Sequence, residues 1–336
     1  MSSRTRTHGA TVKITDVAAA AGVAPMTVSR VLNTPERVSE ETAARVRAAI
    51  ERLGYVPNLI AGGLSSRRSR MIAAIVPTIA SPMFYAPVQT FTDTLAQSGY
   101  HVMLALSGYE EGSEDGLIRA VLSRRPDGLL LTGAAHSPAV RRLLRDAGVP
   151  VVEIWDATET PTDMLVGFDH AELGAAVADF FAAAGHTHFA VLAASDPRAS
   201  ARRAGFVARL ARHGGTLVAE RTLPAPSGIE DGRAALRDIA PLLTRRTALF
   251  GSSDLVAYGA IVEARARGIA VPAQLAVCGF GDFEISRASE LPFTTVSIDG
   301  AAMGRMAAEH LLARIAGRPA PPRILMPARI IARAST

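Results

Sequence analysis

The stretch from Ile14 to Asn33, ITDVAAAAGVAPMTVSRVLN, limits the architectures open to this chain, because it reads as two short helices joined by a tight turn. The first helix is expected from Thr15 to Ala21, with Asp16 near the positive end of the helix dipole and Gly22 at the left-handed closing position. The second is expected from Pro25 to Leu32, since proline at a first helical position has no N–H to leave unpaired. Val28, Val31 and Leu32 recur at helical spacing and are expected to pack on Val17, Ala18 and Ala21. That packing leaves Met26, Thr27, Ser29, Arg30 and Asn33 outward. An arginine can fork onto a guanine edge, and Thr27, Ser29 and Asn33 can bond phosphates, so this face suits DNA. A small helical hairpin with a solvated polar face is the alternative at this point.

Charge favours DNA. The formal net charge is +5, but residues 1–70 hold 11 Lys and Arg against 5 Asp and Glu, whereas the rest of the chain holds 25 against 26. The excess positive charge therefore lies at the helix-turn-helix end, as phosphate binding requires, although Arg4 and Arg6 read as a solvated arm. At 336 residues the chain is too long for one typical domain, so a small head and a large body are expected. Cys278, the one cysteine, falls in the apolar run LAVCGF, which excludes a disulfide framework or thiolate metal cluster and fits a reducing cytosol. No apolar run approaches the ~18 residues of a membrane span, and the N-terminus lacks the order of a secretory signal, so a cytoplasmic protein without a membrane partner is expected.

After the helix pair, NTPERVS reads as a loop, with Ser39 as N-cap of a third helix whose first turn holds Glu40 and Glu41. Val46, Ile50 and Leu53 form its apolar stripe, Gly54 ends it and Pro57 stops continuation, giving a three-helix head over residues 12–57. Residues 58–70, NLIAGGLSSRRSR, have the composition of a flexible linker. From Met71 the pattern changes. Short apolar runs (MIAAIVP, HVMLALS, DGLLLTG, PVVEIW, HFAVLAA, ALFGSSD, LAVCGFG) alternate with amphipathic segments at 85–98, 113–124, 138–147, 171–184, 200–213, 231–243, 255–267 and 301–316. This alternation implies parallel sheets, strands covered on both faces and helices on either side. Ligands in such sheets bind beyond the carboxyl ends of the strands.

The run TVSRVLN at Thr27 to Asn33, with DVA at Asp16 to Ala18, AGV at Ala21 to Val23 and RLGYVPN at Arg52 to Asn58, resembles the lactose/galactose-repressor family of bacterial transcription regulators. The resemblance extends over essentially the whole chain. It implies a small all-α helix-turn-helix head and an α/β core of two lobes, like type I periplasmic-binding proteins, serving effector binding and dimerisation over residues 71–336. The implied crossovers lie near 167, 298 and 325, so that the first lobe takes about 71–167 and 298–325 and the second about 168–297 and 326–336. In the family, residues 58–70 form a hinge that folds on DNA and pairs with its dimer mate. Leu64 then falls on the minor-groove wedge and Ala61 on a minor-groove contact. The pair Gly62-Gly63 departs from that pattern, each glycine costing a helix about 1 kcal/mol relative to alanine.

Pro25 and Met26 fall on the two family positions that usually choose operator bases. Ala24 replaces the usual hydroxyl N-cap, a loss of ~1 kcal/mol. Thr15, Ser39 and Asn58 complete the expected DNA-facing set. Pseudo-palindromic operator DNA and a second copy of the chain are the implied partners; the absence of a leucine heptad tail points to a dimer rather than a tetramer.

Candidate effector residues follow strand ends: Ser81, Met83 and Phe84; Gly108 and Tyr109; Glu153, Trp155 and Asp156; Asp169 and His170; Asp196, Arg198 and Arg202; Ser252, Ser253 and Asp254; Gly281 and Asp282. Hydrogen-bonding and flat aromatic groups in such a set suit a polyol. By resemblance, Arg202 aligns with an arginine that commonly touches effector, and Asp156 and Asp282 lie at pocket edges. Ser253 stands where Asn is common and Gly281 where Asp is common; loss of that carboxylate favours an anion, which Arg198 and Arg202 could clamp. GYEEGSE (108–114), PVVEIWD (150–156), VGFDH (166–170) and HLLARIAGR (310–318) most resemble the gluconate-repressor branch, making gluconate or a close sugar acid the expected effector. No cofactor or metal is implied. The alternatives are a regulator responding to a neutral sugar or a co-repressor, a sugar receptor without DNA function, and an enzyme using Glu153 and Asp156 as an acid/base pair beside His170, which no phosphate loop or nucleophile elbow supports.

Overall fold

The computed structural model describes residues 12–56, 68–110, 112–243 and 246–336, and Asn58, Ala61, Gly62, Gly63 and Leu64 lie outside them. The chain forms two compact units, Met1–Ser69 and Arg70–Thr336.

In the first unit, α1 (Ile14–Ala21), α2 (Pro25–Asn33) and α3 (Glu40–Leu53) surround a core of Val17, Ala18, Ala21, Val28, Val31, Ala43, Val46 and Ala49. Asp16 accepts from the Lys13 amide at 2.8 Å across the first turn of α1. Gly22 closes that helix at φ +66°, which brings the Val23 amide onto the Ala18 carbonyl at 3.0 Å. Pro25 opens α2 behind Ala24, which makes no side-chain cap bond. Two expectations need correction. Leu32 is 36% exposed, because the buried stripe of so short a helix is narrow and Val28 and Val31 already fill it against small alanines. Ser39 holds the N-cap position of α3, but its hydroxyl donates to Thr42 Oγ1 at 3.0 Å rather than accepting a backbone amide.

The second unit contains two six-stranded sheets. The first consists of β1 (Met71–Val76), β2 (His101–Leu106), β3 (Gly128–Thr132), β4 (Val151–Ile154), β5 (Met164–Gly167) and β11 (Arg323–Leu325), all parallel, in the order β11-β5-β4-β3-β1-β2. The other consists of β6 (His188–Ala194), β7 (Thr216–Leu223), β8 (Thr247–Gly251), β9 (Leu275–Phe280), β10 (Thr294–Ile298) and β12 (Ala328–Ile331), in the order β12-β10-β9-β8-β6-β7. Here β12 runs antiparallel to β10, so the sheet is not wholly parallel. The chain passes between sheets after Gly167, after Ile298 and between Leu325 and Ala328.

Helices cover both faces of each sheet. The first sheet carries α4 (Tyr85–Gln97), α5 (Ser113–Leu122), α6 (Pro138–Ala147) and α12 (Gly300–Ile315); the second carries α7 (His170–Ala183), α8 (Pro197–Arg212), α9 (Ile229–Ile239), α10 (Asp254–Ala266) and the short α11 (Glu284–Ala288). Alternation along the strands divides the side chains between these layers. Ala73, Ile75, Leu129 and Leu131 pack under Ile118 and Val140, whereas Ile72, Ala74, Leu130 and Val152 face Phe91 and Leu311. The latter cluster continues through Phe168 into Phe189, Phe206 and Phe250, so one apolar core spans both sheets.

Sequence periodicity missed β7, β10, β11, β12 and α11. β7 is an edge strand whose residues TLVAERTL are half polar, β11 and β12 are only 3 and 4 residues long, and α11 has 5. β2 is also an edge strand, with Leu104 and Leu106 exposed, contrary to the expectation of cover on both faces.

Two packing features hold the strand ends in place. α7 and α8 approach so closely that a Cβ on Gly174 would lie 1.8 Å from the Arg202 carbonyl oxygen, and one on Gly205 1.9 Å from that of Ala171. In the first lobe, His136 Nδ1 bonds Glu114 Oε2 at 2.8 Å while Nε2 lies 3.3 Å from Glu153 Oε1. Burial alone would lower this imidazole's pKa, but the hydrogen bonds and charges of Glu114 and Glu153 outweigh it and hold the value up at about 9.

Gly174→Ala should destabilise the body by ~1–3 kcal/mol, toward the upper end because backbone must move, read as a fall in denaturant midpoint. For His136, the raised folded pKa means that its stabilisation is complete below the unfolded value of about 6.5 and is lost as pH rises through about 9. Thermal unfolding across that window should therefore show a decline in the wild type that His136→Gln lacks; parallel curves would exclude the ion pairs as its cause.

Candidate functional site

On the first unit, α2 presents Met26, 63% exposed, with Pro25, Arg30 and Asn33 also exposed and Thr27 and Ser29 half-buried. Asn33 Nδ2 donates to the Ser29 carbonyl at 2.9 Å and reaches Ser29 Oγ at 3.3 Å, which leaves its amide oxygen outward. Arg30 forms no ion pair among the described residues, so its fork is free for a base edge. Thr15 and Ser39 are exposed at the helix starts.

On the second unit, the carboxyl ends of the strands in both sheets meet around a narrow cleft. Ser81, Phe84, Tyr109, Arg198, Arg202 and Ser253 line it, with Met83, Asp196 and Ser252. It also takes Ala80, Ala194, Pro226, Ser227, Leu255 and Phe283. Pro226 and Ser227 follow β7, the strand that periodicity missed, so no strand end pointed to them. Leu255 and Phe283 lay one residue beyond the polar groups that drew attention.

Arg202 is the centre of the arrangement. It is only 3% exposed, and its Nη1 lies 2.8 Å from His170 Nδ1 while Nη2 donates to the Ser252 carbonyl at 2.9 Å. Its guanidinium stacks 4.0 Å above the Phe280 ring. Burial lowers its pKa to about 10, leaving it charged at neutral pH. Its Nε has no partner among the described residues. Arg198 projects from the first turn of α8 over Phe84 at 5.8 Å, and Asp196 caps that turn by accepting from the Arg198 and Ala199 amides, both at 3.1 Å. Desolvation raises the Tyr109 pKa despite the nearby arginines, so the phenol remains a neutral donor. Two guanidiniums, a phenol, hydroxyls and the Phe84 and Phe283 rings can hold a small hydroxylated anion.

The other strand-end residues have different surroundings. Glu153 is fully buried, accepts from Thr162 Oγ1 at 2.6 Å and pairs with His136, so it faces the interior of the first lobe. This corrects the pairing with Asp156 on which an acid/base reading depended. Asp156 accepts from the Ala134 amide at 3.0 Å and lies 3.5 Å from His170 Nε2, with its pKa raised by burial. Asp169 caps α7 by accepting from the Ala171 and Glu172 amides at 2.8 and 3.1 Å. Asp254 is fully buried; its carboxyl accepts from the Phe283 amide at 2.7 Å and Thr295 Oγ1 at 2.5 Å, and burial raises its pKa to about 7. Trp155 and Asp282 border a wider adjoining groove, where Asp282 pairs with Arg333 at 2.6 Å. Glu153, Trp155, Asp156, Asp169, Asp254 and Asp282 thus do not line the cleft itself. Cys278 is buried. No group of three or more His, Cys, Asp or Glu among the described residues could hold a metal ion, and no helix of theirs is long and apolar enough to cross a membrane.

Residues 13–58 match the model of bacterial regulatory proteins, lacI family, and residues 178–336 match that of a periplasmic binding protein-like domain. The chain is 34% identical over 314 residues to the HTH-type transcriptional regulator GntR of Escherichia coli (strain K12), covering 92% of this chain and 94% of the relative. A LacI-family transcriptional regulator from Silicibacter pomeroyi superposes with a TM-score of 0.89 at 30% identity, over 96% of this chain and 99% of that one. The Lac repressor dimer bound to operator and the anti-inducer ONPF superposes with a TM-score of 0.81 at 25% identity, over 96% of this chain and 98% of that one. The head, the two-sheet body and these similarities agree: the chain belongs to the lacI family of bacterial regulatory proteins and is a DNA-binding transcriptional regulator.

Proposed function

We propose that this regulator is a cytoplasmic homodimeric repressor that leaves a pseudo-palindromic operator when gluconate or a closely related sugar acid occupies the cleft of its body. The observation that carries the reading is the buried, charged Arg202, whose Nε has no partner among the described residues, beside Arg198 and Tyr109. A guanidinium so placed pairs with a carboxylate, while Ser81, Ser227 and Ser253 are suited to hydroxyls. Similarity to regulators named GntR agrees with the resemblance of the sequence to the gluconate-repressor branch.

Homodimerisation is supported by the edge of the first sheet, where Ile79, Tyr85 and Leu104 line one groove with apolar surface and Leu106 is exposed on the same edge strand. An uncovered apolar sheet edge calls for a partner. The Lac repressor, which superposes on this chain, is a dimer on its operator. In this reading Arg30 reads a base edge, Thr27, Ser29 and Asn33 meet phosphates, Thr15 and Ser39 complete the contact, and Pro25 with Met26 sets base preference by shape. Asn58, Ala61 and Leu64 are assigned to the hinge on the DNA.

Arg30→Ala should weaken specific operator binding by ~1–3 kcal/mol, measured by fluorescence anisotropy at fixed salt, while gluconate binding is kept. Equal affinity of variant and wild type for operator would remove Arg30 from base readout. Arg202→Ala should weaken gluconate binding by about 2 kcal/mol or more, roughly thirtyfold, in calorimetry. A normal isotherm would place the anion elsewhere.

A further inference from the structure

His170 begins α7 immediately after the chain leaves the first sheet, and its ring is buried between groups from both lobes. On one side, Nδ1 lies 2.8 Å from Arg202 Nη1 of α8; on the other, Nε2 lies 2.7 Å from the Trp155 carbonyl at the end of β4. The chemistry fixes the proton. A guanidinium has only N–H groups to offer, so Nδ1 must be the acceptor, and the ring hydrogen must sit on Nε2, where it donates to Trp155. The ring is therefore neutral and in one tautomer, a state that burial, with the charges of Arg202 and Arg198, maintains by lowering its pKa. The close approach of α7 and α8 through Gly174 and Gly205 holds this geometry.

Trp155 is well placed to feel a change at the other end. It adopts φ +73°, unusual for a residue with a side chain, and is buried edge-on between Phe84 and Phe168, at ring separations of 6.0 and 5.3 Å. Phe84 itself lines the cleft. We propose that His170 is a positioning residue that aims Arg202 at the anion and transmits occupancy of the cleft to Trp155 in the opposite lobe. The proposal rests on the sugar-acid reading of the cleft. A carboxylate that draws the guanidinium toward itself lengthens the Arg202–His170 bond, and the imidazole delivers that displacement to the Trp155 carbonyl.

Two variants separate the ends of the relay. His170→Asn offers an acceptor near the Nδ1 position but is too short to reach Trp155. His170→Gln offers an N–H near the Nε2 position but loses the acceptor for Arg202. The readouts on the full chain are gluconate affinity, operator release at saturating gluconate, and emission of Trp155, which is the one tryptophan of the protein. His170→Gln should lose at least roughly tenfold more gluconate affinity than His170→Asn, the share of one charge-assisted hydrogen bond. His170→Asn, cut only at the Trp155 end, should bind gluconate yet lose the gluconate-induced emission change and operator release; His170→Gln, cut at the Arg202 end, should lose that response as well as affinity. Equal losses of gluconate affinity in both variants, as a merely structural histidine would give, or an emission change and operator release kept by His170→Asn, overturn the proposal. If wild-type protein binds no gluconate, the sugar-acid reading fails, and the ring nitrogens still decide the relay. Long-range 1H–15N spectra should show a neutral His170 protonated at Nε2, and a cationic or Nδ1-protonated ring would refute it.

Discussion

The Arg202 guanidinium is the group around which the body is arranged. A cation in an apolar interior costs several kcal/mol unless its N–H groups are paired, and here the pairing comes from different strand ends. His170 follows β5, Ser252 follows β8, and Phe280, whose ring lies under the guanidinium, ends β9. One side chain from α8 thereby ties together three carboxyl ends, and through His170 it reaches a fourth at Trp155. The pairing is incomplete, since Nε has no partner among the described residues. On the proposed reading, the retained charge and the unused donor are in place before an anion arrives, which lowers the reorganisation that binding requires.

The acidic residues at the other strand ends show why position alone does not make a ligand group. Asp169 and Asp196 satisfy the first amides of α7 and α8, as N-caps do. Asp254 holds the wall instead of forming it. Its carboxyl fixes the Phe283 amide, and Phe283 is the residue that faces the cleft. Burial raises the Asp254 pKa to about 7 although Thr295 and Phe283 donate to it, so the carboxyl is partly protonated near neutral pH. Glu153 has its charge matched within the first lobe by His136.

Local chemistry was legible in the sequence, and contacts between distant residues were not. Gly22, Pro25 and the spacing of Val17, Val28, Val31 and Val46 suffice to write the head, because each acts within its own turn or helix. Leu32 broke that pattern because exposure depends on how wide a stripe α3 can cover, which periodicity does not encode. In the body, apolar runs covered on both faces stood out, whereas β7 at a sheet edge resembled a polar loop, and Pro226 and Ser227 were lost with it. Glu153 attracted attention as an acid in an apolar strand, but its partner His136 comes from a separate loop. His170 stood out as a strand-end residue and as a neighbour of Glu153 and Asp156, not as a partner of Arg202. Its bond to Arg202 spans 32 positions of sequence, a separation that only the α7–α8 packing closes.

On the proposed reading, occupancy of the cleft of the body governs the hold of the head on DNA. The most direct test is a titration of the full chain onto DNA from upstream of its own gene, at one fixed salt concentration, with and without saturating gluconate. Fixed salt matters because phosphate contacts make operator affinity steeply salt-dependent. Gluconate should weaken specific binding by between about fivefold and 150-fold, the range of typical coupling energies between two sites. Tight specific binding with superimposable curves would contradict the claim that this anion in this cleft releases the operator.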